Sequence, residues 1–102
     1  MDLKDLWRDI LIRLYPTIRH DQFITWFADT GILRIDQGTL VLGVPTQFAF
    51  SWIDQHYKLR ILETAKVLNP EITDVVLAVE SGLANSDDVR KINIETILPE
   101  QK

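Results

Sequence analysis

The sequence contains no cysteine, so disulfide staples and thiolate metal sites are both excluded. Its only histidines are His20 and His56, which fall on different predicted helices. A metal site without thiolates needs imidazoles and carboxylates that converge. His20 and Asp21 are adjacent, but neighbours on a helix point about 100° apart and do not chelate. No apolar run approaches the roughly 20 residues of a membrane span, and no signal-peptide pattern opens the chain. Glycine-rich phosphate cradles and dinucleotide fingerprints are missing, and none of Ser51, Ser81 and Ser86 sits in a nucleophile elbow. An excess of positive charge is lacking too, the formal net charge being −4. These absences predict a cytoplasmic, non-enzymatic chain with no metal, no cofactor and no membrane contact.

The 102 residues are 46% hydrophobic and 25% charged, the balance of one small globular domain. A chain this short buries only about 60–65% of the surface its unfolded form exposes, so its single core must be used fully.

From Asp2 to Leu14 the apolar residues Leu3, Leu6, Trp7, Ile10, Leu11 and Leu14 recur at spacings of three and four, with charges between them. This is an amphipathic helix, with Asp2 as its N-cap and Pro16 as its stop. A second, shorter helix fits His20 to Ala28, closed by Asp29, Thr30 and Gly31, with the glycine as the expected left-handed cap. The period then changes. Residues 32–36 and Thr39 to Val44 read as two strands joined by a polar, glycine-containing turn at Asp36-Gln37-Gly38, a hairpin. Thr46 caps a long helix whose stripe Ala49, Ile53, Tyr57, Ile61, Ala65 runs to about Leu68, where Asn69 and Pro70 end it. Ile72 to Glu80 alternates as a last strand, with Val75, Leu77 and Val79 on one face. The order α-α-β-β-α-β describes an α+β domain over residues 1–80, a three-stranded sheet covered by helices on one face. Residues 81–102 open with Ser, Gly and Asn, carry Asp87-Asp88 and lack a sustained period; they read as a flexible linker stub, with the apolar Val89, Ile92, Ile94, Ile97 and Leu98 leaving a short docked strand or helix as the alternative.

Aromatic residues are the most informative surplus. Phe27, Trp52 and Tyr57 are expected in the core. Trp26 and Phe23, with Ile24 pointing elsewhere, make the second helix apolar over a wide arc. Phe48 stands in the first turn of the long helix, where full burial is difficult, and Ile12 lies outside the main stripe of the first helix. Large apolar side chains left at a rim mark protein–protein contact surfaces. Local basicity at Lys58 and Arg60 offers a second possibility, weak binding of single-stranded nucleic acid with nearby rings stacking on bases. Against it, residues 1–80 carry eight basic and eleven acidic side chains.

The series Leu6-Trp7, Phe23, Thr25-Trp26-Phe27, Gly38-Thr39-Leu40-Val41-Leu42, Val44-Pro45-Thr46-Gln47-Phe48-Ala49, Trp52-Ile53 and Tyr57 resembles the N-terminal domain of the bacterial chromosomal replication initiators, the DnaA family. The likeness covers roughly residues 3 to 80 in unbroken order. It implies a KH-like fold, with no ATPase activity and no cofactor in this domain; ATP belongs to an AAA+ domain that follows a flexible linker in the family. It implies self-association, recruitment of the replicative helicase, docking of initiation regulators and a weak contact with single-stranded DNA.

By the same resemblance, Asp21, Gln22, Thr25, Trp26, Thr46 and Phe48 correspond to the surface that receives partners. Trp7, with Leu3 and Ile10, corresponds to the self-association surface. Gln22 stands where the family often carries an acid, with Asp21 one position earlier. No G-x-x-G loop occurs, so KH-type clamping of a nucleic-acid backbone does not follow from the topology.

Overall fold

The computed structural model describes residues 2–85, 91, 92 and 94. Helix α1 (Leu3–Leu14) begins where the Asp2 carboxylate accepts the Lys4 amide. It buries Leu6, Trp7, Ile10, Leu11 and Leu14 on one stripe, then tightens into a 3-10 turn at Tyr15–Thr17 around Pro16. Helix α2 (His20–Phe27) ends sooner than the expected Ala28, and Asp29 rather than Gly31 takes the left-handed conformation, at φ 60°. An Asp tolerates that region better than most residues, which frees Gly31 to open a strand.

Strands β1 (Gly31–Asp36) and β2 (Thr39–Val44) form the antiparallel hairpin, with a bulge at Leu33. Its two-residue turn places Gln37 at φ 52° and Gly38 at φ 87°, the geometry that matches the natural twist of paired strands. A side chain at position 38 would also meet the Glu71 carbonyl oxygen at 3.0 Å.

The stretch expected as one long helix is two: α3 (Gln47–His56) and α4 (Lys58–Leu68). They meet at Tyr57, whose backbone leaves the helical region at φ −126°, ψ −9°. The break turns the Tyr57 ring onto Phe27, centroids 5.3 Å apart, and redirects the chain. Helix α3 then packs against α2 and the sheet, and α4 against α1. The paired helices cross back to β3 (Asp74–Val79), which lies parallel to β2. The sheet order β1-β2-β3, with α3 and α4 together filling the third helical place, is the α+β arrangement α-α-β-β-α-β.

Leu40, Leu42, Val44, Val75 and Ile32 face the helices and join Phe23, Phe27, Ile53, Ile61 and the α1 stripe in one core. The other sheet face is partly closed from beyond residue 80. Leu83, in a 3-10 turn at Ser81–Ala84, is fully buried. Gly43 makes room for it: a Cβ there would lie 2.8 Å from both Leu33 Cδ2 and Leu83 Cδ1. Farther on, Ile92 and Ile94 are buried in the main core, and Lys91 pairs with Asp29 at 2.8 Å. Residues 86–90, 93 and 95–102 of the segment expected as a linker stub lie outside the described residues. Among the described residues, no helix is long and apolar enough to cross a membrane.

Candidate functional site

Helix α2 and the first two turns of α3 build an aromatic shelf. Thr46 fixes its edge: its hydroxyl accepts the Ala49 amide at 3.1 Å, the N-cap bond expected from the sequence. That cap sets the register of α3, so Phe48, one residue beyond the first helical position, projects outward. Phe48 is 77% exposed, the most exposed large apolar side chain among the described residues. Its ring nevertheless touches protein on one side, 5.7 Å from the Trp26 centroid.

Trp26 is half-buried and held by two contacts. Its indole N–H donates to Gln22 Oε1 at 3.0 Å, one helical turn back. Its face stacks on Trp52, centroids 4.9 Å apart and planes 12° from parallel. Trp52 continues the row to His56, whose ring centroid lies 4.2 Å away. A stack such as that of Trp26 on Trp52 contributes about 0.5–1.5 kcal/mol beyond its buried area. The rings are therefore positioned before any partner arrives, while one side of the row stays in water.

Of the residues that the family resemblance points to, Gln22, Trp26 and Phe48 are in ring or hydrogen-bond contact on this shelf, with Thr46 capping its second helix. Thr25 is exposed on α2 and its hydroxyl is already committed to the Asp21 carbonyl at 2.7 Å. Asp21 is exposed and pairs with Arg19 at 3.4 Å.

Trp52 and His56 were missed as shelf residues, and Trp52 is a correction: it is 37% exposed instead of sealed in the core. The spacing contains the signal. Phe48, Trp52 and His56 form their own series four residues apart, one position behind the core-facing series of buried Ala49 and Ile53 and half-buried Tyr57.

The self-association residues need a larger correction. Trp7 and Ile10 are fully buried, because α4 and β1 cover the face of α1 that carries them. The Trp7 indole N–H donates to Thr30 Oγ1 at 3.1 Å, and its ring lies 6.3 Å from Phe27. Neither side chain presents a surface to a second copy. Leu3 is half-buried against the same core.

Lys58 and Arg60, the candidate nucleic-acid contacts, diverge. Lys58 is drawn to Asp54 at 3.8 Å, whereas Arg60 lies over the Tyr57 ring, 5.7 Å from its centroid. Among the described residues no group of three histidine or acidic side chains could hold a metal.

Comparison with known proteins agrees with this architecture. Residues 4–67 match the family described as the DnaA N-terminal domain. The chromosomal replication initiator protein DnaA of Rhodopseudomonas palustris (strain BisA53) is 31% identical over 80 residues, 78% of this chain and 17% of that protein. The DnaA of a Thermus thermophilus strain is 33% identical over 89 residues, 87% of this chain and 20% of that protein. The chain thus spans about a fifth of the length of the curated relatives it matches. With the family match extending from α1 almost to the end of α4, the chain belongs to the DnaA N-terminal domain family.

Proposed function

We propose that this chain is the protein-interaction module of a DNA replication initiator, and that the shelf formed by Trp26, Phe48 and Trp52 receives the replicative helicase or a regulator of initiation. The observation that carries this reading is the exposed Phe48 ring resting on a stacked tryptophan pair. An aromatic row that is rigid yet wet loses little entropy on binding and gains from being dried, which is why such residues dominate interface energetics. Individual contacts of this size are weak, and several initiators assembled on one origin raise the effective concentration of each.

Single-stranded nucleic acid is the less supported alternative. The shelf could stack bases, but Lys58 is engaged by Asp54 and the chain is acidic overall. Self-association, if it operates, uses surface other than Trp7 and Ile10.

Titration of the domain with the replicative helicase of the same organism tests the proposal. Phe48→Ala is expected to reduce binding at least about tenfold while the fold survives, the loss of one interface hot spot. Binding at wild-type strength by both Phe48→Ala and Trp26→Ala overturns it. Oligonucleotide titration at two salt concentrations tests the alternative, which requires binding that falls as salt rises.

A further inference from the structure

On a different part of the surface, the last turn of α1 and the turn after it run beside the first turns of α4. Between them lies an open recess of about 340 Å³ lined by Arg13, Leu14, Thr17, Arg60, Glu63 and Thr64. Two arginines therefore line one concave space in a chain whose net charge is −4.

Neither has a carboxylate partner among the described residues, and the Arg13 guanidinium makes no hydrogen bond there. Arg60 is held from two sides. Its guanidinium lies over Tyr57, and Nη1 donates to the Thr17 carbonyl oxygen at the long distance of 3.4 Å. Tyr57 is itself anchored on Phe27, so the cation is positioned by the core. The Thr17 hydroxyl is spent on the Leu14 carbonyl at 2.8 Å, whereas the Thr64 hydroxyl has no partner among the described residues. Glu63 lines the recess without pairing with either arginine.

The donors of a guanidinium are arranged in a flat fork that fits a carboxylate with two parallel hydrogen bonds. Two cations and one acid leave the recess one positive charge in excess. A single added carboxylate neutralises that excess. A phosphodiester strand would bring a charge at every nucleotide against Glu63 and against the acidic chain around it. We propose that this recess receives a single side-chain carboxylate, set among uncharged residues of a protein partner, with Arg13 and Arg60 as the cationic clamp and Thr64 as a neutral donor. The site is built from α1 and α4 and does not depend on the aromatic shelf, which is built from α2 and α3.

Nuclear magnetic resonance of the labelled domain tests this directly. The probes are a capped alanine tetrapeptide carrying one glutamate, its glutamine counterpart, and a tetranucleotide of thymidine, each titrated at low salt. The acidic peptide is expected to shift the guanidinium Nε–H signals of Arg13 and Arg60 together with the Thr64 amide. The uncharged peptide is expected to leave them in place. Arg13→Gln or Arg60→Gln should each weaken the response about threefold, the scale of an exposed ion pair, and Glu63→Gln should strengthen it by a similar factor. Phe48→Ala should leave it intact, which separates this site from the shelf. Unchanged guanidinium signals with the acidic peptide, or equal shifts with the tetranucleotide, would overturn the proposal.

Discussion

Trp26 and Trp52 lie face to face, 4.9 Å between centroids, although one belongs to α2 and the other to α3. Gln22 explains how the pair is held. Its amide oxygen accepts the Trp26 indole N–H at 3.0 Å. The indole is thereby fixed at its edge by α2 and on its face by α3, and Phe48 rests against what remains.

Removing Phe48 should separate binding from stability. Because the ring is mostly in water, Phe48→Ala is expected to change unfolding free energy by no more than about 0.5 kcal/mol. Trp26→Ala loses a stack and part of a buried face, so it should cost about 1–3 kcal/mol as well as binding. Urea unfolding of both variants, measured beside partner titration, checks this; a large loss of stability for Phe48→Ala would place that ring in the core.

Thr46→Ala should cost about 1 kcal/mol by leaving the Ala49 amide without its cap, and Thr46→Ser should restore most of it. Since the cap sets how Phe48 projects, Thr46→Ala is also expected to weaken partner binding modestly. Denaturant midpoints and partner affinities for the two variants read both effects.

Trp7 is expected to act through stability alone. Trp7→Phe keeps most of the ring but removes the N–H that bonds Thr30, at a cost of about 1–3 kcal/mol. Sedimentation of this variant should give the same association state as wild type at concentrations where both are folded. A specific shift to monomer with unchanged stability would contradict the buried placement.

Leu83 tests where the domain ends. Leu83→Ala should destabilise by about 2–5 kcal/mol, since its side chain is fully buried against the Gly43 gap. Thermal unfolding measures it, and a midpoint equal to wild type would return this residue to a linker.

Most of the architecture was legible because it rests on local chemistry. The three- and four-residue apolar spacing of α1, the Asp2 and Thr46 caps and the Gln37-Gly38 turn each act within a few residues. The break at Tyr57 was not legible, because the stripe Ala49, Ile53, Tyr57, Ile61, Ala65 keeps its period across it. The break goes with a tertiary contact, the Tyr57 ring on Phe27, which no local pattern encodes. The burial of Leu83 escaped because a glycine gap far away in sequence receives it, whereas Ile92 and Ile94 were legible only as apolar residues able to dock. At the shelf, Phe48 was legible from its position in the first turn. Trp52 was not, since a tryptophan beside a core stripe looks the same whether a neighbouring helix seals it or only stacks on one of its faces.

The most direct measurement places a fluorine on the Phe48 ring and follows its solvent isotope shift between light and heavy water by nuclear magnetic resonance. In the free domain the shift should be close to that of the free amino acid, and it should collapse when the replicative helicase is added. A small shift in the free domain, or one that saturating helicase leaves unchanged, would contradict a shelf that is wet when alone and dried by its partner.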